Sequence, residues 1–378
     1  MAISGLMTHD GGVTVFDRNP RLRWAVPATL VALIVGGTLV GSVAASADSG
    51  LPPLTAQELL VQAQAPNATS VSGTVEATAD LGLPELPMSS SRGASPTAML
   101  SGTNTARVWS DGAGGSRVAL LADADEYDIV RNGQDVWAYS NADRTVEHYV
   151  LPDRDASTEI PANVSLPSTP QEAATQALAA IDSSTAVTTS GVDRVAGRDV
   201  YELILTPKSS DTLVAKVVIA MDGETYVPLR VQVYSTQMQE PAFEIGFTSV
   251  DFGAVDPALF AFTPPAGATV TEHPAGSMTK PTTDAPNGPK PTVVGTGWSS
   301  VAIMTVPADA LAGTDSAPAS DSGAQAASML QALPTTSGAW GSGKVLEGTL
   351  FTAILTDDGR VAIGAVSPTT LGAALAAS

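Results

Sequence analysis

Between Val195 and Phe247 apolar and polar positions alternate with a period of two through four successive runs. Tyr201, Leu203 and Leu205 share one face of the first run, and Val217, Ile219 and Met221 one face of the second. Leu229, Val231 and Val233 oppose Arg230, Gln232 and Tyr234 in the third, and Phe243, Ile245 and Phe247 oppose Glu244 in the fourth. Such alternation predicts an antiparallel sheet with one dry and one wet face. Asp222-Gly223 is expected to supply the positive φ of a tight hairpin between the second and third runs.

The same reading extends in both directions. Thr55-Ala-Gln-Glu58 is a capping box that opens a short helix over Ala56–Gln64. Strands are predicted at Ser72–Leu83, Thr103–Ser110, Ser116–Ala122, Glu126–Arg131, Asp135–Ser140 and Thr145–Leu151. Asp111-Gly112 and Asn132-Gly133 are turn signals between them, and Leu83–Pro96 is a proline- and serine-rich loop. Thr169-Pro170-Gln171-Glu172 starts a second helix, Gln171–Asp182, with Ala174, Ala177, Leu178 and Ile181 on one side. Asp256-Pro257 caps a single turn ending at Phe260. Residues 264–292 form a proline-rich linker. Residues 293–378 read as a small α+β domain with strands Trp298–Val306, Lys344–Leu355 and Arg360–Val366. Its helices are expected at Gln325–Leu333 and from Ser367-Pro368 to Ala377.

The N-terminal segment changes the picture of where the protein works. Arg18, Arg21 and Arg23 precede Trp24–Val43, 20 residues without a charge, and Ala45-Ser46-Ala47 follows. Residues 24–47 therefore read either as a secretory signal peptide or as an uncleaved membrane anchor. The arginines keep residues 1–23 cytoplasmic, so everything after about Asp48 is expected in the extracytoplasmic cell envelope.

Composition narrows the chemistry. The 378 residues include no cysteine, so disulfides, thiolate metal sites and a lipid-modified cysteine are excluded. The net charge of -20 argues against nucleic-acid binding, which needs basic patches. His9, His148 and His273 are the only histidines, and none sits in a catalytic or zinc-binding pattern; His148 reads as a satisfied strand side chain. P-loop and dinucleotide-binding signatures are missing. Asp123-Ala-Asp125-Glu126-Tyr-Asp128 is a dense acidic cluster that reads better as a solvated turn than as a calcium loop. Asn67-Ala-Thr69 and Asn163-Val-Ser165 match the short glycosylation pattern. No enzyme activity, metal or cofactor is expected. A dry sheet face plugged by two helices can instead leave an apolar cavity.

The order of motifs is similar to a known superfamily. It runs through Gly133–Tyr139 (Gly-x-x-Val-Trp-x-Tyr) and Gly197-Arg-Asp-Val-Tyr-Glu-Leu203. Met221-Asp222-Gly223, Val227-Pro228-Leu229-Arg230 and Phe260-x-Phe262-x-Pro264-Pro265-x-Gly267 continue it. Over Leu54–Gly267 the chain resembles the LolA/LolB/RseB superfamily of extracytoplasmic lipid-handling proteins. The resemblance implies a strongly curved, half-open antiparallel β-sheet, an unclosed barrel, with a helical lid over a lipid-sized cavity in residues 52–263. The smaller unit at 293–378 is similar in placement to the second domain of RseB-like members, regulators of an envelope-stress sigma factor. The implied ligand is a lipid or a lipoprotein acyl chain, held by a carrier or sensor. The alternative is a regulatory protein that binds a membrane anti-sigma factor, or another envelope protein, through its C-terminal domain. The expected cavity or core wall comprises Trp137, Tyr139, Leu203, Leu205, Val217, Ile219, Val231, Val233, Phe243 and Ile245.

Overall fold

The computed structural model describes residues 51–64, 69–83, 101–122, 125–151, 167–273, 292–305 and 330–378. The expected leader, the proposed glycosylation asparagines 67 and 163, the loop over 84–96 and linker residues 274–291 lie outside them.

Two sheets organise the described residues. The larger has 12 strands. In chain order these are β1 (Val71–Ala79), β2 (Gly102–Ser110), β3 (Gly115–Leu121), β4 (Glu126–Asn132), β5 (Asp135–Ser140) and β6 (Thr145–Val150). They continue with β7 (Thr185–Val195), β8 (Arg198–Pro207), β9 (Val214–Asp222), β10 (Pro228–Ser235), β11 (Pro241–Asp251) and β12 (Thr269–His273). The spatial order β12-β6-β5-β4-β3-β2-β1-β11-β10-β9-β8-β7 is open at both ends. Every pairing is antiparallel except β12 on β6, which is parallel. The fold is α+β: a large unclosed antiparallel sheet with few helices, and a second small sheet.

Helix α1 (Ala56–Gln64) packs on β7 and β8, and α2 (Pro170–Ala179) on β10 and β11. The expected capping box forms at α1: Glu58 N donates to Thr55 Oγ1 (3.2 Å), and Thr55 N donates back to Glu58 Oε2 (2.8 Å). Leu59 and Leu60 turn into the core. At α2 the small Ala173 and Ala174 are buried, which lets the helix lie close on the sheet.

The four strands singled out by alternation are β8 to β11. Their registers place Leu203, Ile219, Val231 and Ile245 opposite one another in one row. Leu205, Val217, Val233 and Phe243 form the next row on the same face. Leu203, Leu205, Ile219 and Ile245 are wholly inaccessible, so this part of the dry face is solid core.

The β9–β10 turn differs from the expectation. Gly223 is not in the left-handed region; Tyr226 takes the positive φ (58°) instead. A Cβ at Gly223 would lie 2.5 Å from the Leu51 side chain. The expected positive φ is found at Gly112 (70°) and Gly133 (63°). In the large sheet two strands escaped the sequence reading. β7 pairs with β8 through a turn in which Ala196 and Gly197 both have positive φ. β12 occupies residues that the linker was expected to include.

The second sheet has six strands in the order β13-β14-β18-β17-β16-β15. They are β13 (Thr292–Val294), β14 (Val301–Thr305), β15 (Thr335–Gly338), β16 (Gly341–Glu347), β17 (Thr352–Thr356) and β18 (Arg360–Gly364). Trp298 belongs to a 3-10 turn before β14, not to the strand; the expected single strand Lys344–Leu355 is the hairpin of β16 and β17, and β13 and β15 were not expected. Helix α3 (Pro368–Ala376) packs Leu371 and Leu375 on Val301, Ile303, Val345 and Ile354. Of the expected helix at Gln325–Leu333, only residues 330–332 are described as helical, and 325–329 lie outside the described residues. The two sheets are joined directly. Ser235 Oγ donates to Thr349 O (2.6 Å), Leu213 N to Ala365 O (2.8 Å) and Trp298 Nε1 to Thr185 Oγ1 (2.8 Å).

Candidate functional site

The registers across β1–β6 fix which side chains face the dry side. Val71, Val75, Val108, Val118, Leu120, Ile129 and Val136 fall on the same face as the two rows of β8–β11. Trp137 and Tyr139 fall on the other. The expected wall is therefore split: eight of its ten residues share the dry face, and the two aromatics do not. The reason is local. In Val136-Trp137-Ala138-Tyr139, alternation defines two faces without saying which is dry, and Val136 takes the dry one, against Ile129 and Leu151.

On the outer face Trp137 stacks on His148, with ring centroids 3.6 Å apart, and Phe262 tilts against both Trp137 and Tyr139. His148 Nδ1 lies 2.6 Å from Glu272 of β12, and Nε2 lies 3.0 Å from Asp135. His273 pairs with Glu147 and stacks on Tyr149. Both described histidines thus fasten the parallel edge strand. Asp128 of the acidic cluster is buried on β4, not solvated in a turn, and accepts from Arg117 Nε at 2.8 Å. Residues 123–124 lie outside the described residues. Among the described residues no group of three or more His, Asp or Glu could hold a metal ion.

A cavity of about 210 Å³ opens on the dry face between β1–β3, β11 and the N-terminus of α2. Val71, Val108, Val118 and Phe247 form its sheet wall, with Ser110 and Ser116 beside them. Thr169, Gln171 and Glu172 close it from the helix, and Val227 and Pro228 from the β9–β10 turn. None of the ten expected wall residues lines it. The cavity lies beyond the two solid rows, where the sheet passes from β11 to β1. Phe247 continues the alternation of Phe243 and Ile245, so that part was readable; the meeting of β1 with β11 across about 170 residues was not.

The helix end is built by side chains. Thr169 is the N-cap and accepts from Glu172 N at 3.1 Å. The Glu172 carboxyl turns back over the cap, where its Oε2 accepts from both N and Oγ of Ser168, each at 2.8 Å. Burial pushes the Glu172 carboxyl above its ordinary range, against the opposing pull of the Ser168 and Thr169 hydrogen bonds. It is the one charged residue type in the cavity wall. The site thus offers an apolar slot, four hydroxyl-bearing residues, one amide and one half-buried acid. It can hold an apolar chain by burial and orient a polar end; it has no nucleophile–base pair.

Among the described residues no helix is long and apolar enough to cross a membrane, and the apolar run at 24–43 is not among them.

Comparison with curated proteins finds no match. Among solved structures, MucB in the Pseudomonas aeruginosa MucA/MucB complex is 16% identical, over 85% of this chain and 96% of that one, with a TM-score of 0.42. An uncharacterized conserved protein from Thermus thermophilus is 14% identical, over 58% of this chain and 99% of that one, with a TM-score of 0.34. A LolA superfamily protein from Nitrosomonas europaea is 13% identical, over 56% and 99%, with a TM-score of 0.23. Residues 99–265 match the family model of the MucB/RseB N-terminal domain. That span includes β2 to β11.

Proposed function

We propose that this is a non-enzymatic, extracytoplasmic envelope protein whose large sheet holds an acyl chain, from a lipid or a lipoprotein, on its dry face. The observation that carries the reading is the cavity under α2, walled by Val71, Val108, Val118 and Phe247. Burial is the driving force: each methylene withdrawn from water contributes about 0.8 kcal/mol. At about 210 Å³ the cavity is smaller than the ~300–1,000 Å³ of drug-sized sites, so it suits the end of one chain rather than a whole lipid. Residues 24–47 would deliver the protein across the membrane or anchor it there, and residues 52–263 and 293–378 would act as the two domains of an RseB-like arrangement.

Native mass spectrometry of the chain from Asp48 to Ser378, purified from its own envelope and followed by organic extraction, tests this. A stoichiometric amphiphile is the expected result. A protein that is empty, and that takes up no acyl chain when one is offered, would overturn it.

A second reading is favoured by the small sheet. Val293, Met304 and Ile363 are 62%, 38% and 41% exposed on the face turned away from α3. Such a face suits an envelope protein partner, in the way a regulator would bind a membrane anti-sigma factor. Ile363→Asp should then abolish co-purification of that partner while leaving bound lipid unchanged. Loss of neither would remove the partner reading.

A further inference from the structure

We propose that the cavity under α2 selects an apolar chain whose head is an uncharged hydrogen-bonding group, a hydroxyl or an amide, and rejects carboxylate- and phosphate-headed chains. This rests on the acyl-chain reading above and specifies its ligand.

The first ground is the wall. Its polar groups are the hydroxyl-bearing Thr69, Ser110, Ser116 and Thr169, the amide of Gln171 and the carboxyl of Glu172. No lysine, arginine or histidine is among the lining residues. The nearest cation by register is Arg131, opposite Ser116, and its Nε donates to Gly133 O at 3.0 Å. An anionic head would be withdrawn from water with no counter-charge, which is costly.

The second ground is the helix end. A helix N-terminus ordinarily attracts anions through its free N–H groups. Here only part of that donor set remains: Pro170 has no N–H, Glu172 N is taken by Thr169 Oγ1, and Ser168 N, just before the cap, is taken by Glu172. Glu172 itself occupies the place an anion would take.

The third ground is Glu172's remaining capacity. Only Oε2 accepts from Ser168, while the residue also lines the cavity. Ionised, it accepts from a hydroxyl or amide and repels an anion. Protonated, it both donates and accepts. In either state a neutral head is served, and the ionised state turns an anionic one away.

The test is calorimetric titration of the chain at neutral pH with decanol and, separately, decanoate. Decanol should bind, and decanoate should bind at least about tenfold more weakly. Ser116→Lys, which sets a cation in the wall, should bring decanoate binding up to or above that of decanol. Glu172→Leu should weaken decanol binding, with the melting temperature recorded to confirm folding. Equal binding of the two probes, or a preference for decanoate, would overturn head-group selection and leave the acyl-chain reading intact. Binding of neither probe would overturn that reading itself.

Discussion

At the scale of single residues, the densest arrangement lies not in the cavity but at the β9–β10 turn. Asp222 is fully buried and accepts from Arg198, whose Nη2 is 3.1 Å from Oδ1, and from Thr225 N and Oγ1, each at 2.8 Å. Burial raises the Asp222 carboxyl, but the Arg198 and Thr225 hydrogen bonds outweigh it and hold the group below its ordinary range. The stability it contributes is therefore present above the ordinary carboxylate range and lost as pH falls through the depressed value. Asp222→Asn should cost on the order of 3 kcal/mol, measured by denaturant unfolding, because it leaves the half-buried Arg198 guanidinium with only the exposed Glu224 as an ion-pair partner. Gly223→Ala should cost at most about 1 kcal/mol, because the Leu51 methyls can swing aside and only Asp199 O, 3.1 Å from the added Cβ, is fixed backbone. Leu205 was expected in a cavity or core wall; being wholly inaccessible, it should behave as core, and Leu205→Ala should cost about 2–5 kcal/mol.

At the scale of elements, local chemistry was legible and distant pairing was not. The capping box at Thr55–Glu58, the N-cap at Thr169 and the turns at Gly112 and Gly133 follow from a few adjacent residues. So did the alternation in β8–β11. β7 was missed because Thr185–Val195 carries threonines, a serine and a glycine where a buried strand would carry branched apolar residues. It is an edge strand with one neighbour, so it needs fewer of them. β12 was missed because it is short, mostly exposed and surrounded by prolines; its partner strand and the two histidine–glutamate contacts hold it instead. The cavity was missed for a third reason. It exists where β1 meets β11 beneath the start of α2, and no stretch of sequence contains that junction. The raised Glu172 carboxyl gives this end of α2 a pH signature. Between the ordinary carboxyl range and its raised value, the folded protein holds a proton that the unfolded chain has released. Its contribution is full below the ordinary range and is lost as pH rises through the raised value. Melting temperatures across about pH 4 to 7 should show this fall, and Glu172→Gln should flatten it.

At the scale of the molecule, the large sheet has a solid half and a hollow end. Rows centred on Ile219 and Val217 are packed shut under α1 and α2, and the open space lies to one side, toward β1–β3. The small sheet is fastened to the solid half at Leu213 and Ser235, and to the far end of β1 through Thr349, whose N donates to Leu81 O (2.8 Å) and Oγ1 to Asp80 O (2.9 Å). Ser235→Ala should therefore lower stability by about 1 kcal/mol with no change in ligand occupancy, read by unfolding and by native mass spectrometry. The central claim is that the hollow end, and not the solid rows, holds an acyl chain. Val108 and Val118 face each other across β2 and β3 in its wall, so a large side chain at either fills it. The most direct measurement is the amount of lipid extracted from Val118→Trp beside the unaltered protein, both purified from the envelope with their melting temperatures recorded. The account predicts that the folded variant carries no lipid; lipid retained at the unaltered level would contradict it.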